Sequence, residues 1–71
     1  MMHAAKLHKS ERLQRVHTVL KAVSPRWFST RDIIEIANVC AVNSCIAELR
    51  ANGEKIETQR EGRVWSYRLA P

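Results

Sequence analysis

Residues 41–53 have the sequence AVNSCIAELRANG, and the other elements of the chain are arranged around this segment. Apolar side chains recur in it at i, i+3 or i+4, and i+7, a spacing that predicts an amphipathic helix. The apolar stripe consists of Val42, Cys45, Ile46 and Leu49. Gly53 follows the last of these residues, where a helix favours a left-handed C-terminal cap. The segment therefore predicts a short helix that ends before Gly53.

The opposite face of this predicted helix is short, polar and free of bulky side chains. It carries Asn43, Ser44, Ala47, Arg50 and Ala51. A short helix with such a face can enter a DNA major groove, where Asn and Arg side chains are suited to base edges. The alternative is an amphipathic core helix whose outer face is only solvated.

Length and charge limit the classes of function. The chain has 71 residues, which is enough for one domain but not for a large catalytic cleft. A domain of this size buries only about 60% of the surface of its unfolded chain, so its core is thin. Twelve lysine and arginine residues against seven acidic residues give a net charge of +5. A small basic domain suits a polyanionic partner, chiefly nucleic acid and less often an anionic membrane surface.

The sequence carries no pattern typical of a membrane or exported protein. Its longest apolar runs span only a few residues, too short to cross a bilayer. The N-terminal residues MMHAAKLHK lack an apolar stretch long enough for a signal peptide. We therefore expect no membrane partner and a cytoplasmic location.

No constellation of residues indicates a metal, a cofactor or an enzyme. Cys40 and Cys45 do not have zinc-site spacing, and no second pair of ligands completes a set of four. They are expected to be reduced, half-buried apolar residues. The histidines, which are His3, His8 and His17, are too scattered to form a ligand set. Paired carboxylates, a Ser–His–Asp order and a glycine-rich phosphate loop are also missing, so we expect a protein that is not an enzyme.

The chain begins with a predicted flexible arm, residues 1–9, followed by a first helix. Ser10 is a suitable N-cap for a helix over residues 10–23, and Glu11 in the first turn complements the helix dipole. The predicted buried stripe consists of Leu13, Val16, Leu20 and Val23. The dipeptide Ser24-Pro25 ends the helix because a residue before proline is disfavoured in the α region.

A second helix is predicted over residues 30–37. Ser29 and Asp32 have the spacing of a capping box at its start. The residues expected to face inward are Ile33, Ile34 and Ala37, whereas Arg31 and Glu35 should face outward. Asn38 tolerates a left-handed cap and can end this helix sharply. The tight connection to the segment 41–53 predicts a helix-turn-helix.

After Gly53 the apolar period changes from that of a helix to that of a strand. Residues 55–60 and 63–69 alternate between two faces, and the intervening Glu61-Gly62 is a plausible two-residue turn. Trp65 near the tip should be only half covered. The order of elements is that of a winged helix-turn-helix over residues 10–70, mainly α, with three helices and a C-terminal two-stranded wing.

Three short motifs resemble a small winged helix-turn-helix family found in bacteriophages and prophages. They are Ile46-Ala47-Glu48-Leu49-Arg50-Ala51-Asn52-Gly53, Ile56-Glu57-Thr58 and Tyr67-Arg68-Leu69. The resemblance covers roughly residues 10–69 and implies a DNA-binding domain of a phage or prophage. The chain departs from the family at Asn38, where glycine is frequent, and at residues 42–45, where relatives often carry alanines and an extra arginine.

The predicted function is sequence-specific binding of double-stranded DNA by a small regulator, either a transcriptional repressor or activator or an excision factor. Asn43 and Ser44, with Ala47 on the same face, are expected at base edges in the major groove. The residues expected near the phosphate backbone or the minor groove are Arg31, Arg50, Arg60 and Arg63. For Arg50 the alternative is a contact one helical turn back or with solvent. Glu48 and Glu57 would repel phosphate and should point away from DNA or toward basic side chains.

Two other hypotheses stay open at this point. The same fold could be a protein-interaction module that binds a host or phage protein, since Trp27 and Trp65 are suitable interface anchors. The chain could also form a homodimer through the first helix or the arm, because palindromic operators need two-fold symmetry.

Overall fold

The computed structural model describes Lys6 and residues 9–70, and this part of the chain forms three helices and a three-stranded antiparallel sheet. The helices are α1 (Glu11–Val23), α2 (Thr30–Ala37) and α3 (Val42–Ala51), and the strands are β1 (Phe28–Ser29), β2 (Ile56–Glu61) and β3 (Val64–Leu69). The architecture is thus mixed α/β. Apart from Lys6 and Lys9, the predicted arm lies outside the described residues.

The predicted helix boundaries agree with the structure because their capping residues work as expected. The backbone amide of Leu13 donates to the Ser10 hydroxyl at the start of α1. At the start of α2, Ser29 and Asp32 form a complete capping box. Asn38 ends α2 in the left-handed region, with φ of 55°.

The C-terminus of α3 is closed by Gly53, as the sequence predicts. Gly53 has a φ of +93°. Its amide donates to the carbonyl oxygen of Arg50, and the amide of Glu54 donates to that of Leu49. These two hydrogen bonds form a Schellman motif, which satisfies carbonyl groups that a helix end leaves free.

The core lies between the three helices and one face of the sheet. Its buried residues are Leu13, Val16, Leu20, Ile33, Ala37, Val39, Val42, Cys45, Ile46, Leu49, Ile56 and Tyr67. The predicted apolar stripes of α1 and α3 are therefore inside, although Val23 is only half-buried. Cys45 is fully buried and Cys40 is exposed, so the expectation that both are half-buried is wrong.

The inward position predicted for Ile34 is also wrong. Its side chain is 40% exposed, whereas Ile33 beside it is fully buried. The helix α2 is only about two turns long, and the side chains that it buries in the core are those of Ile33 and Ala37.

The sheet differs from a two-stranded wing because β1 adds a third strand. Its order is β1-β3-β2, and Phe28 pairs with Tyr67 while Ser29 pairs with Ser66. The two-residue turn lies one position later than predicted, since Glu61 pairs with Val64 and leaves Gly62 and Arg63 as the turn. Gly62, with φ of +63°, occupies the first turn position, where a hairpin turn of this kind needs glycine.

No helix in the described part of the chain is both long enough and apolar enough to cross a membrane.

Candidate nucleic-acid interface

The outer face of α3 is the centre of the candidate site. Asn43, Ser44, Ala47 and Arg50 are all exposed, as the helical period predicts. The opposite face of the helix is buried against the core, which fixes its rotation about its own axis. The helix therefore presents two short polar side chains, one methyl group and one arginine on a single surface.

Asn43 is held against the sheet by Tyr67. The Tyr67 hydroxyl donates a hydrogen bond to the Asn43 Oδ1 atom at 3.1 Å. Tyr67 is only 4% exposed and sits in the central strand, so its hydroxyl is a well-fixed donor. The contact joins the N-terminal half of α3 to β3 and orients an exposed side chain of the candidate site.

Arg50 is directed toward the sheet as well. Its Nη2 atom donates to the carbonyl oxygen of Ile56 at 2.8 Å and to the Thr58 hydroxyl at 2.6 Å. Arg50 was predicted to contact phosphate, and in the structure its guanidinium group already has two acceptors within the protein.

A groove of about 550 Å³ runs between α2, α3 and the hairpin. It is lined by Ser29, Thr30, Arg31, Ile34, Glu35, Asn43, Arg63, Val64 and Trp65. Three residues predicted for the site, Arg31, Asn43 and Arg63, are thus brought together from three different elements. They are distant in the chain, and the packing of α2 and the hairpin beside α3 makes them neighbours.

A second hollow of about 320 Å³ adjoins this groove on the side of α3 that faces the hairpin. It is lined by Asn43, Ile46, Ala47, Arg50, Thr58, Trp65 and Tyr67. Asn43 and Trp65 line both depressions. The two together form one continuous surface, from which Ser44 and Arg60 are absent.

The two arginines of the groove, Arg31 and Arg63, make few hydrogen bonds or ion pairs with the described part of the protein. The Arg31 side chain is 88% exposed, and its Nε atom lies 3.9 Å from Glu35 Oε1, one helical turn away. An exposed ion pair of this kind contributes little to stability, and an anionic ligand can readily replace the carboxylate as the partner of Arg31. Arg63 is exposed and makes no hydrogen bond or ion pair with any residue the structure describes. Both guanidinium groups are available to an anionic ligand.

Arg60 belongs to the hairpin tip but lies apart from the groove. Its guanidinium carbon is 5.6 Å from the centre of the Trp65 ring, and its Nε atom donates to the Gly62 carbonyl oxygen at 2.9 Å. The register places the two side chains opposite each other on neighbouring strands. Arg60 therefore covers Trp65 while remaining exposed at the tip.

The two acidic residues that were expected to point away from DNA or toward basic side chains each pair with an arginine. Glu48 accepts a hydrogen bond of 2.6 Å from Arg12, and Glu57 accepts one of 2.6 Å from Arg68. Arg68 also lies over the Trp27 ring, 4.3 Å from its centre. Neither carboxylate lines the groove or the hollow.

Among the described residues, Arg12 is one whose pKa the fold shifts. Partial burial by itself would lower the pKa of Arg12, but the nearby Cys45 sulfur and the Glu48 carboxylate together raise it above its ordinary value. The guanidinium group also donates to the Cys45 sulfur at 3.2 Å. Arg12 is therefore a charged structural bridge between α1 and α3.

The sequence interpretation missed an apolar component of the groove. Ile34, Val64 and Trp65 are 40%, 53% and 45% exposed. The Thr30 hydroxyl donates to the Trp65 carbonyl oxygen at 3.3 Å, which brings α2 beside this strand. The half coverage of Trp65 was predicted, but its place in the groove depends on β1 pairing with β3, which the local pattern did not predict.

Among the described residues, no group of three or more His, Cys, Asp or Glu side chains is placed to hold a metal ion. His17 lies 3.1 Å from Glu54 and links α1 to the segment after α3. His3 and His8 lie outside the described residues.

Comparison with known proteins adds no relative: no family model matches the chain, and neither does any curated protein or solved structure. Functional inference therefore depends on the geometry and chemistry of the α3 face and its groove.

Proposed function

We propose that the chain is a winged helix-turn-helix protein that binds double-stranded DNA in a sequence-specific manner. In this proposal α2 and α3 form the helix-turn-helix, and the β2–β3 hairpin is the wing. The outer face of α3 enters the major groove. The chain would act in the cytoplasm as a small regulator of the phage or prophage type, either in transcription or in excision.

One observation carries the proposal. The exposed face of α3 shares a groove with two arginines, Arg31 and Arg63, that are exposed and nearly uncommitted. Phosphates that border a major groove need cations close to the recognition helix, because phosphate contacts set the register of a protein on the duplex. The chain's net charge of +5 favours the same partner.

The proposed roles follow from the position of each side chain. Asn43 and Ser44 are short enough to contact base edges when the helix axis lies in the groove, and the Ala47 methyl can contact a thymine methyl. Arg31 and Arg63 bind phosphates of the backbone that borders the groove. Arg60 reaches the backbone or the minor groove from the hairpin tip.

The third strand is compatible with a wing. β1 pairs only with Ser66 and Tyr67 of β3, so the turn end of the hairpin extends beyond it. Every residue from 58 to 65 is exposed, including the turn residues Gly62 and Arg63. This end of the hairpin is therefore free to approach a DNA backbone.

A titration of a fluorescent mixed-sequence duplex at several salt concentrations tests the proposal. The logarithm of the binding constant should fall with the logarithm of salt, with a slope of about −0.9 for each phosphate neutralised. The double variant Arg31→Ala/Arg63→Ala should bind more weakly and lower the steepness of the slope by about 2.

The matched control for this test is Lys21→Ala/Lys55→Ala. Both lysines are exposed, and the control removes the same net charge as the arginine double variant. Its slope should stay closer to that of the wild type. The proposed interface would be excluded if the two double variants lost equal affinity and equal salt dependence, or if the slope of the wild type were near zero.

A second function is favoured by the apolar part of the groove. Exposed aromatic and aliphatic side chains beside Arg31 and Arg63 suit a protein segment that carries acidic and apolar residues. In this case Trp65→Ala should abolish binding of the purified partner, whereas Asn43→Ala/Arg60→Ala should leave it intact. The opposite pattern would support the DNA-binding function.

A further inference from the structure

We infer that the Tyr67 hydroxyl is a specificity determinant, because it fixes which hydrogen-bonding group of Asn43 is presented to a base. The inference rests on the proposed DNA-binding function and extends it to the choice of base. Tyr67 itself would touch no base and is a positioning residue. The base that Asn43 faces would have to offer an acceptor.

The orientation of the Asn43 amide follows from its contact with the sheet. Oδ1 accepts the hydrogen bond of the Tyr67 hydroxyl, which comes from a side chain that is only 4% exposed. Oδ1 and Nδ2 are the two branches of one planar group, so an oxygen turned toward the sheet leaves the NH2 group as the outward branch. Asn43 is exposed, and that branch can meet a ligand.

The reverse orientation of the amide is disfavoured by the tyrosine. A flipped Asn43 would donate from its NH2 group to the Tyr67 oxygen, and the hydroxyl hydrogen would then need another acceptor. Within the described residues, Asn43 is the acceptor that this hydroxyl has. The orientation with the oxygen inward is the one in which the protein itself satisfies the hydroxyl hydrogen, and it is therefore favoured.

The position of Tyr67 is itself rigid. β3 is the central strand, and Tyr67 pairs with Phe28 on one side and Thr58 on the other. The backbone of Tyr67 is therefore held by a neighbouring strand on each side, and its side chain leaves the sheet from a fixed point.

The chemistry of the base edges gives the consequence. An outward NH2 group donates, and in the major groove guanine offers O6 and N7, adenine N7 and thymine O4 as acceptors. Cytosine offers only its N4 amino group, which is a donor. The structure therefore assigns to Asn43 a preference for guanine, adenine or thymine and a discrimination against cytosine on the strand that it faces.

Selection of binding sites from a randomised duplex library tests the inference. The base position contacted by Asn43 is the one at which Asn43→Ala removes the preference of the wild type. At that position Tyr67→Phe should raise the frequency of cytosine about fivefold, because a free amide can turn its oxygen outward. Overall folding should be retained, since only one hydroxyl is removed.

Thr58→Val is the matched control. It also removes a hydroxyl from the sheet, but Thr58 makes no hydrogen bond with Asn43. A purely structural effect would change the stability of both variants and leave the base preference alone. The inference expects the preference to change with Tyr67→Phe and to persist with Thr58→Val.

Three outcomes overturn the inference while DNA binding stands. They are a wild-type preference for cytosine at the Asn43 position, an unchanged preference in Tyr67→Phe, and no position that depends on Asn43. A wild-type protein that binds no duplex at low salt would instead refute the proposed function itself, and this inference with it. The wild-type binding curve separates the two kinds of failure.

Discussion

The Arg50 guanidinium group donates one hydrogen bond to the Thr58 hydroxyl at 2.6 Å and another to the Ile56 carbonyl oxygen at 2.8 Å. These contacts connect the last turn of α3 to the first half of β2. They complement the Tyr67–Asn43 hydrogen bond, which connects the first turn of the same helix to β3. The angle between helix and hairpin is therefore set at both ends of α3.

Replacement of Arg50 by alanine should lower stability more than it changes the salt dependence of DNA binding. The variant loses two hydrogen bonds at a mostly exposed position, for which we expect a decrease of about 1 kcal/mol in the free energy of unfolding. Urea denaturation measures the first quantity, and a salt titration measures the second.

Arg50→Lys and Arg63→Ala are the controls for this prediction. Lysine keeps the charge but lacks the planar group that reaches two acceptors, so Arg50→Lys should also lose stability. Arg63→Ala should keep wild-type stability and reduce the steepness of the salt dependence by about 1. A large decrease in salt dependence for Arg50→Ala would show that Arg50 binds phosphate directly.

Ile33 and Ile36 form a matched pair within α2. Ile33 is fully buried, whereas Ile36 is 64% exposed. Ile33→Ala should therefore destabilise the protein by roughly 2–5 kcal/mol, enough to unfold a large share of so small a domain. Ile36→Ala should change stability by less than about 0.5 kcal/mol. Thermal melts by circular dichroism measure both, and equal effects would contradict the packing of α2.

The capping box of α2 predicts an effect of Ser29→Ala. The substitution removes the acceptor for the Asp32 amide and should cost about 1 kcal/mol. For a domain of this size, that corresponds to a melting temperature about 4–8 °C lower. Ser44→Ala is the control, because the Ser44 side chain is exposed on α3 and makes no hydrogen bond with the described residues. Its melting temperature should match that of the wild type.

Gly53 should be more sensitive to substitution than its surroundings suggest. Beyond Gly53 itself and its two chain neighbours, no heavy atom of the described residues lies within 4 Å of a Cβ built at this position, so an alanine would meet no steric obstacle there. Its φ of +93° nevertheless strains any L side chain, and we expect Gly53→Ala to cost about 1–2 kcal/mol. Gly53→Asn should cost less, because asparagine tolerates positive φ better than alanine. Chemical denaturation distinguishes the two variants, and a neutral Gly53→Ala would refute the strain argument.

The helices could be predicted because their signals are local. Ser10 and Ser29 accept hydrogen bonds from amides three residues on, Asn38 takes the left-handed conformation that ends α2, and the structure confirms each of these roles. The alternation after Gly53 likewise predicted the hairpin, and it placed Ile56 and Tyr67 on the face of the hairpin that packs against the helices. The turn was misplaced by one residue because Glu61-Gly62 and Gly62-Arg63 both place glycine at the turn.

The errors lie where a distant segment decides the outcome. Two-residue β1 has too short a pattern to predict a strand, and it exists because β3, far along the chain, offers a free edge. Ile34 has the spacing of an inward residue, but it lines the open groove between α2 and the hairpin and stays 40% exposed. Such contacts depend on which helices and strands become neighbours in the folded chain. The spacing of apolar residues within one helix or strand does not contain this information.

The sequence by itself determined the three helices with their caps, the hairpin, the basic charge and the exposed face of α3. The tertiary structure decided that Arg31, Asn43 and Arg63 line one groove, that Arg50 binds the sheet, and that the Tyr67 hydroxyl donates to the Asn43 side chain. The physical reason is one of range. Capping and periodicity act within a few residues, whereas the groove is formed by side chains that are brought together only when the helices and sheet bury their apolar faces against one another.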